Sequence, residues 1–290
     1  MKIASMFGQG RTVFSFEIFP PKRTTPIENI YNTLEQLDGL HPDFISVTYG
    51  AGGNTGKHST IDIAAAVKER CGIEPLIHLT CLYNSKQDID HILGEAKSRG
   101  IENVLALRGD RIPEAEPLDD FHYAADMAAY VAGRGDFDIA GACYPEGHPS
   151  CDDLVTDVLN LRKKVDAGCS HLISQLFFDN ELFYSFLERT RIAGIDVPIE
   201  AGIMPVTNKK QIEKMVTLCG ASLPGKFTRM MRRYEDHPEA LADAGIAYAI
   251  DQIVDLISQG VDGIHLYTMN NPQIARRISE SVSSLLKVAK

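Results

Sequence analysis

One period dominates this chain. Short runs rich in apolar and β-branched residues alternate with amphipathic stretches of helical spacing. The runs are VFSFEIF, DFISVTY, EPLIHLTC, NVLALRG, FDIAGACY, HLISQLF, VPIEAGIM and GIHLYTM; the stretches include IENIYNTLEQL, TIDIAAAVKER, QDIDHILGEAKSR and CDDLVTDVLNLRKKV. The unit recurs roughly every 30 residues, as a strand-plus-helix repeat does. The last interval, Ile199 to Ile264, is about twice that length and has room for an extra helix around Arg229 to Tyr234. Eight strands alternating with helices in 290 residues predict an α/β fold, a closed (β/α)8 TIM barrel with an extra helical segment before the last strand. An open doubly wound sheet usually has fewer strands. No linker or low-complexity stretch divides the chain, so residues 1–290 read as one domain.

Composition narrows the function classes. An apolar content of 44% supplies a large core, and a formal charge of −10 argues against nucleic acid or an anionic membrane as partner. The N-terminus MKIASMFGQG lacks the apolar core of a signal peptide, and no stretch reaches the roughly 20 apolar residues of a membrane span. The six cysteines are scattered without a C-x-x-C pair, which points to reduced thiols. The expectation is a soluble cytoplasmic protein without a bound metal.

In a barrel, reactive groups gather where strands end. The first strand must stop near Pro20 and Pro21, which cannot donate to a sheet ladder. Ser15, Glu17 and Phe19 share one face of it, and that face is expected to look into the barrel. A carboxylate buried alone is costly, so Glu17 either pairs with an interior arginine or lysine or serves the chemistry of the mouth. The other strand ends are polar too: Thr48, His78 with Thr80, Arg108–Gly109–Asp110, Tyr144 to His148, Gln175, and His265, Tyr267 and Thr268. Such a ring suits a ligand with several hydrogen-bonding edges.

Two further stretches carry signals. GAGGNTG, from Gly50, nearly matches a dinucleotide fingerprint, but Thr55 occupies the last glycine position and no dinucleotide-binding βαβ unit surrounds it. After the fifth strand, Ser150 and Asp153 resemble a capping box that would start a helix. Leu154, Val158, Leu161 and Val165 would form its core stripe. Asp157, Asn160 and Lys164 fall within roughly 60° of one another on a neighbouring stripe. They are either a solvated face or a clamp for ribose and phosphate.

In order and spacing, FEIFPPK, VTYGAGG, HLTC, LRGD, YPEGHP, QLFF, PVTN and LYTMN resemble the bacterial single-domain form of the methylenetetrahydrofolate reductase family, over essentially the whole chain. The resemblance implies a TIM barrel holding FAD. It implies reduction of 5,10-methylenetetrahydrofolate to 5-methyltetrahydrofolate by NADH or NADPH in a ping-pong cycle that feeds methionine synthesis. It makes Glu17 the general acid that opens the folate's five-membered ring, so that an iminium at N5 can accept hydride. Asp110 would lie by the flavin and the pterin. Thr48, His78, Arg108, Gly109, Asp110, Tyr123, Ala124, Tyr144, His148, Asp157, Asn160 and Lys164 match the family's FAD contacts, which favours the clamp. Gln175, Gln211 and Tyr267 would meet the folate, together with Glu17 and Asp110.

Asn271 stands where some members carry an arginine, and Met215 where an aromatic can stack; both departures bear on affinity. The resemblance also implies a homo-oligomer, and a chain ending soon after the eighth unit is expected to lack feedback by S-adenosylmethionine. An aldolase barrel fits poorly, because no strand carries a Schiff-base lysine and no compact metal-ligand cluster is evident. A flavin subunit fed by a partner protein, or a folate-binding homologue without turnover, stays open.

Overall fold

The computed structural model describes residues 1–21, 28–49, 60–113, 115–212 and 219–289. Its strands are β1 (Val13–Ile18), β2 (Phe44–Val47), β3 (Glu74–Thr80), β4 (Asn103–Leu107), β5 (Asp138–Cys143), β6 (His171–Ser174), β7 (Ile199–Ile203) and β8 (Gly263–Tyr267). They form a closed barrel in chain order, every pair parallel, with β8 returning to β1. The (β/α)8 architecture expected from the period is present.

Around it lie α1 (Glu28–Asp38), α2 (Thr60–Cys71), α3 (Lys86–Ser98), α4 (Ala124–Ala132), α5 (Leu154–Asp166), α6 (Asn180–Ile192), α7 (Gly225–Tyr234), α8 (Pro238–Ser258) and α9 (Pro272–Val282). The long interval before β8 holds the extra helix α7. Its Phe227 stacks on Phe178 at 4.6 Å, and with Met231 it builds a second apolar cluster over the β6–β7 exits. No helix among the described residues is long and apolar enough to cross a membrane.

Parallel strands are buried on both faces, and their residues divide accordingly. Phe14, Phe16 and Ile18 of β1, with Ile77, Val104 and Ile264, face outward into the main core under the helices. The inward set changes character with height. At the base, Val13, Phe44, Leu76, Leu105 and Ile173 pack on an N-terminal plug, the 3-10 turn Ile3–Met6, followed by Phe7. The Ile3 and Ala4 amides donate to the side chains of Asn103 and Asp138, at 2.9 and 2.7 Å. The plug thereby satisfies two buried polar groups and closes the base. Above it the interior turns polar, which a hydropathy period cannot show.

Candidate active site

Glu17 points into the barrel near its upper mouth, 7% exposed. Its backbone carbonyl accepts from Thr268 Oγ1 at 2.6 Å, and Asn270 brackets Phe19 two residues on, accepting from Phe19 N and donating to Phe19 O, both at 2.8 Å. Asn270 adopts φ +54°, a conformation asparagine tolerates. The strand exit that presents Glu17 is therefore pinned to β8 before any ligand arrives.

Among the described residues, no arginine or lysine pairs with Glu17. His78 Nε2 from β3 and His265 Nε2 from β8 each stand 3.6 Å from its Oε2. Burial, reinforced by His265 and opposed by Glu17, pushes the His78 imidazolium down to about 4, so His78 is neutral at pH 7. It adds no cation.

Below Glu17 runs a polar chain. Ser15 Oγ lies 2.7 Å from His265 Nδ1 and 2.9 Å from Glu200 Oε1. Ser46 Oγ lies 3.3 Å from His265 Nε2. Glu200 is fully buried, and its Oε2 has no hydrogen-bond partner. Burial, helped by the charges of Asp43 and Asp262 and opposed by Ser15, pushes the Glu200 carboxyl up to about 8. Sequence reading missed Glu200, although a lone acid in the apolar run VPIEAGIM is the same signal that singles out Glu17.

Beside the mouth, the exits of β4 and β5 and the helices α4 and α5 enclose a cleft of about 420 Å³. Arg108, Tyr123, Ala124, Tyr144, His148, Asp157, Asn160 and Lys164 all line it. Lys164 Nζ donates to Ala142 O at 2.6 Å, and burial lowers its pKa while raising that of Asp157. Tyr144 packs edge-on against His148 at 4.6 Å. Arg108 Nη1 donates weakly to Ser150 Oγ at 3.4 Å, while its Nε is buried without a partner. An orphaned guanidinium N–H, a half-buried lysine, an exposed Tyr123 ring and the N-terminus of α4 fit a phosphorylated aromatic cofactor.

Other expected residues are placed differently. Thr48, His78, Gly109 and Asp110 are not in the cleft wall. Gly109 adopts φ +87°, and a Cβ there would come within 3.1 Å of Thr80. Asp110 is exposed at the β4 exit, where its charge helps raise Tyr144, pushed up to about 12 chiefly by burial. Gln175 Oε1 accepts from Leu176 N at 2.9 Å, and Gln211 Oε1 accepts from Thr207 N at 2.9 Å. The Tyr267 hydroxyl donates to Ser174 O at 2.8 Å, so its ring lies across the barrel over Gly202. A Cβ on Gly202 would meet Ser174 O at 2.3 Å. Asn271 caps α9 through Ile274 N at 3.2 Å. Met215 and GAGGNTG lie outside the described residues.

The start of α5 corrects the capping-box expectation. Asp153 is itself the N-cap, its carboxylate accepting from Val155 N and Thr156 N. Ser150 lies outside the helix and donates its amide to His148 Nδ1 at 3.1 Å. Val158 and Leu161 are buried in the core stripe and Val165 packs against the same core, while Leu154 departs from it, 42% exposed over Gly147. An aspartate reaches the first free amides as well as a serine does, and only geometry decides between them. Among the described residues no cluster of His, Cys, Asp or Glu could hold a metal ion, and no disulfide joins the cysteines.

A (β/α)8 barrel with a buried acid at its strand ends, beside a cleft walled by Arg108, Lys164 and Asp157, has the layout of an enzyme site. Residues 2–283 match the family model described as methylenetetrahydrofolate reductase. The chain is 38% identical to the 5,10-methylenetetrahydrofolate reductase of Pectobacterium carotovorum, with 97% of this chain and 94% of that one covered. It is 36% identical to the Escherichia coli protein of the same name, over 94% and 92%. Against methylenetetrahydrofolate reductase (NADH) 1 of Arabidopsis thaliana it is 37% identical, over 93% of this chain and 48% of that one. A Clostridium thermocellum protein, described as binding two copies of 5-methyl-5,6,7,8-tetrahydrofolic acid, shares the fold with a TM-score of 0.68 at 16% identity, covering 96% of each chain. The chain belongs to the methylenetetrahydrofolate reductase family, a family of oxidoreductases acting on a folate.

Proposed function

We propose that this chain is a single-domain, FAD-dependent catalytic barrel over residues 1–290. It reduces 5,10-methylenetetrahydrofolate to 5-methyltetrahydrofolate and so supplies methyl groups for methionine synthesis. The observation that carries the reading is Glu17, an acid pinned in the barrel mouth beside a cleft whose Arg108 Nε is buried and unpartnered. FAD would supply the hydride carrier between NAD(P)H and the folate in a ping-pong cycle. Lys164 and Arg108 would balance its phosphates, Asp157 and Asn160 would bind ribose edges, and Tyr123 and Tyr144 would flank its rings. Thr48, His78, Gly109 and Asp110 would border it from the strand ends.

Glu17 would donate the proton to the folate nitrogen that leaves when the five-membered ring opens. Asp110 would orient the pterin from the β4 exit, and Gln175, Gln211 and Tyr267 would border the folate. Mouth and cleft adjoin, so nucleotide and folate would use one site in turn. The name of the Arabidopsis relative supports NADH as donor. The family resemblance further supports a cytoplasmic homo-oligomer, which light scattering on purified protein tests. The reading itself is tested by the absorbance spectrum, followed by anaerobic NADH and then methylenetetrahydrofolate. A flavin spectrum that bleaches and recovers is expected. A protein that stays colourless and cannot be reconstituted with FAD overturns the reading, whereas flavin that stays oxidised with NADH points to another donor.

A further inference from the structure

We infer that Glu200 is the proton store of this site, a buried carboxyl that recharges Glu17 through Ser15 and His265. The inference rests on reading Glu17 as the proton donor to the folate. That role needs a carboxyl group that keeps its proton at neutral pH. The interior holds one: Glu200 has no exposure, an orphaned Oε2, and a pKa pushed up to about 8 by burial.

The contacts line up as a route: Glu200 Oε1 to Ser15 Oγ at 2.9 Å, Ser15 Oγ to His265 Nδ1 at 2.7 Å, and His265 Nε2 to Glu17 Oε2 at 3.6 Å. The last step exceeds a hydrogen bond, and catalytic contacts of this kind tighten when substrate binds. At rest the Glu200 proton sits on Oε1, because an orphaned acceptor on Oε2 is better tolerated than an orphaned donor. Ser15 accepts it and donates its own hydrogen to His265 Nδ1. With Nδ1 accepting from Ser15, the His265 ring presents an N–H at Nε2, facing Glu17.

Once Glu17 has given its proton to the folate nitrogen, three hydrogens shift along the route. His265 Nε2–H passes to Glu17 Oε2, Ser15 O–H to His265 Nδ1, and Glu200 O–H to Ser15 Oγ. Three bonds to hydrogen break and three form, and the negative charge moves from Glu17 to Glu200. The reverse shift refills the store when Glu17 takes up a proton at the mouth. Glu200 acts only through Glu17, so it is a positioning residue for the proton. The titratable groups facing Glu17 are His78, His265 and Tyr267; those acting on Glu200 are Asp43 and Asp262. His171, from β6, interacts with His265 in the same interior.

The test uses the full-length protein at pH 7. Infrared difference spectra should show a buried protonated carboxyl that is lost in Glu200→Gln and kept in Glu17→Gln. Nitrogen-15 NMR should find His265, assigned by its loss in His265→Asn, protonated at Nε2. An ionised Glu200, or a wild-type His265 protonated at Nδ1, overturns the store. In the folate half-reaction, Glu200→Gln should lose about 10²-fold at pH 7 and recover as the pH is lowered toward 5. Ser15→Ala, which keeps Glu200 and cuts the route, should behave alike. Unchanged rates in both variants at pH 7 overturn the store and leave Glu17 as donor. Folate reduction that survives Glu17→Gln removes the donor reading instead, while the infrared and NMR results still report where the proton rests.

Discussion

Two glutamates point into this barrel from apolar strands, and their surroundings differ in kind. Glu17 stands at the mouth, its backbone clamped by Thr268 and its carboxyl faced by two imidazoles. Glu200 lies one strand beyond β8 on the other side, fully enclosed, with one serine for a partner and one oxygen that has none. The difference teaches that height in a barrel sorts identical side chains into different work. Near the strand ends a carboxyl can meet substrate; lower down it can only hold or release a proton through its neighbours.

The largest effect that would break this comparison is on turnover. Glu17→Gln should slow folate reduction by about 10²–10⁴-fold while leaving reduction of the bound flavin by NADH near its wild-type rate. Stopped-flow measurement of the two half-reactions separates the outcomes. Equal loss in both would mean that Glu17 shapes the site without donating a proton.

The next effect is on stability, where the two ends of the interior titrate in opposite senses. Burial raises Glu200 from 4.5 to about 8, so its contribution is complete below pH 4.5 and is lost as pH rises toward 8. His78 and His171 are lowered from 6.5 to about 4, so their contribution is present above pH 6.5 and is lost as pH falls through 4. Between pH 6.5 and 8 the Glu200 slope stands apart from the histidine pair. Urea denaturation should show stability falling there by on the order of 2 kcal/mol, and Glu200→Gln should flatten the fall. A wild-type curve that is level across this window would place the Glu200 carboxyl in the ordinary range.

These residues also show what sequence could and could not reveal. The repeat disclosed the barrel and the extra helix before β8, because burial on both strand faces writes continuous apolar runs into the chain. Glu17 was legible from Pro20 and Pro21, which mark the strand's end and hence its height. Glu200 carried the same local signal, but nothing nearby in sequence announces Ser15 or His265, which reach it across the barrel. The Asp153 cap failed for a related reason: Ser150 and Asp153 are both good caps, and the contact of Ser150 with His148 decides between them. Residues of the cleft wall sit on two strands and two helices, and only the closed barrel brings them together.

A smaller effect compares cleft with interior. Lys164→Met removes a half-buried ammonium while keeping most of the apolar stem, so FAD affinity should fall by about 10-fold or more. The loss should shrink as salt rises, since part of the interaction is between charges at an open cleft. Titration of apoprotein with FAD at two ionic strengths checks both statements. An unchanged affinity would return Lys164 to its observed structural bond with Ala142 O.

The smallest effect sharpens the comparison by leaving the interior alone. Asp153 accepts from Val155 N and Thr156 N at 2.9 Å each and from Thr156 Oγ1 at 2.7 Å, so it anchors the helix that carries Asp157, Asn160 and Lys164. Asp153→Ala frees those donors to water at the surface, and the midpoint of thermal unfolding should drop by about 2–4 °C. The Asp153 and Glu200 sites share no partner, so the Asp153→Ala and Glu200→Gln effects should add in the double variant. The pH slope assigned to Glu200 should persist in Asp153→Ala. If the two variants instead couple, the cleft wall and the barrel interior would be one cooperative unit, and the separate roles drawn from their surroundings would have to merge.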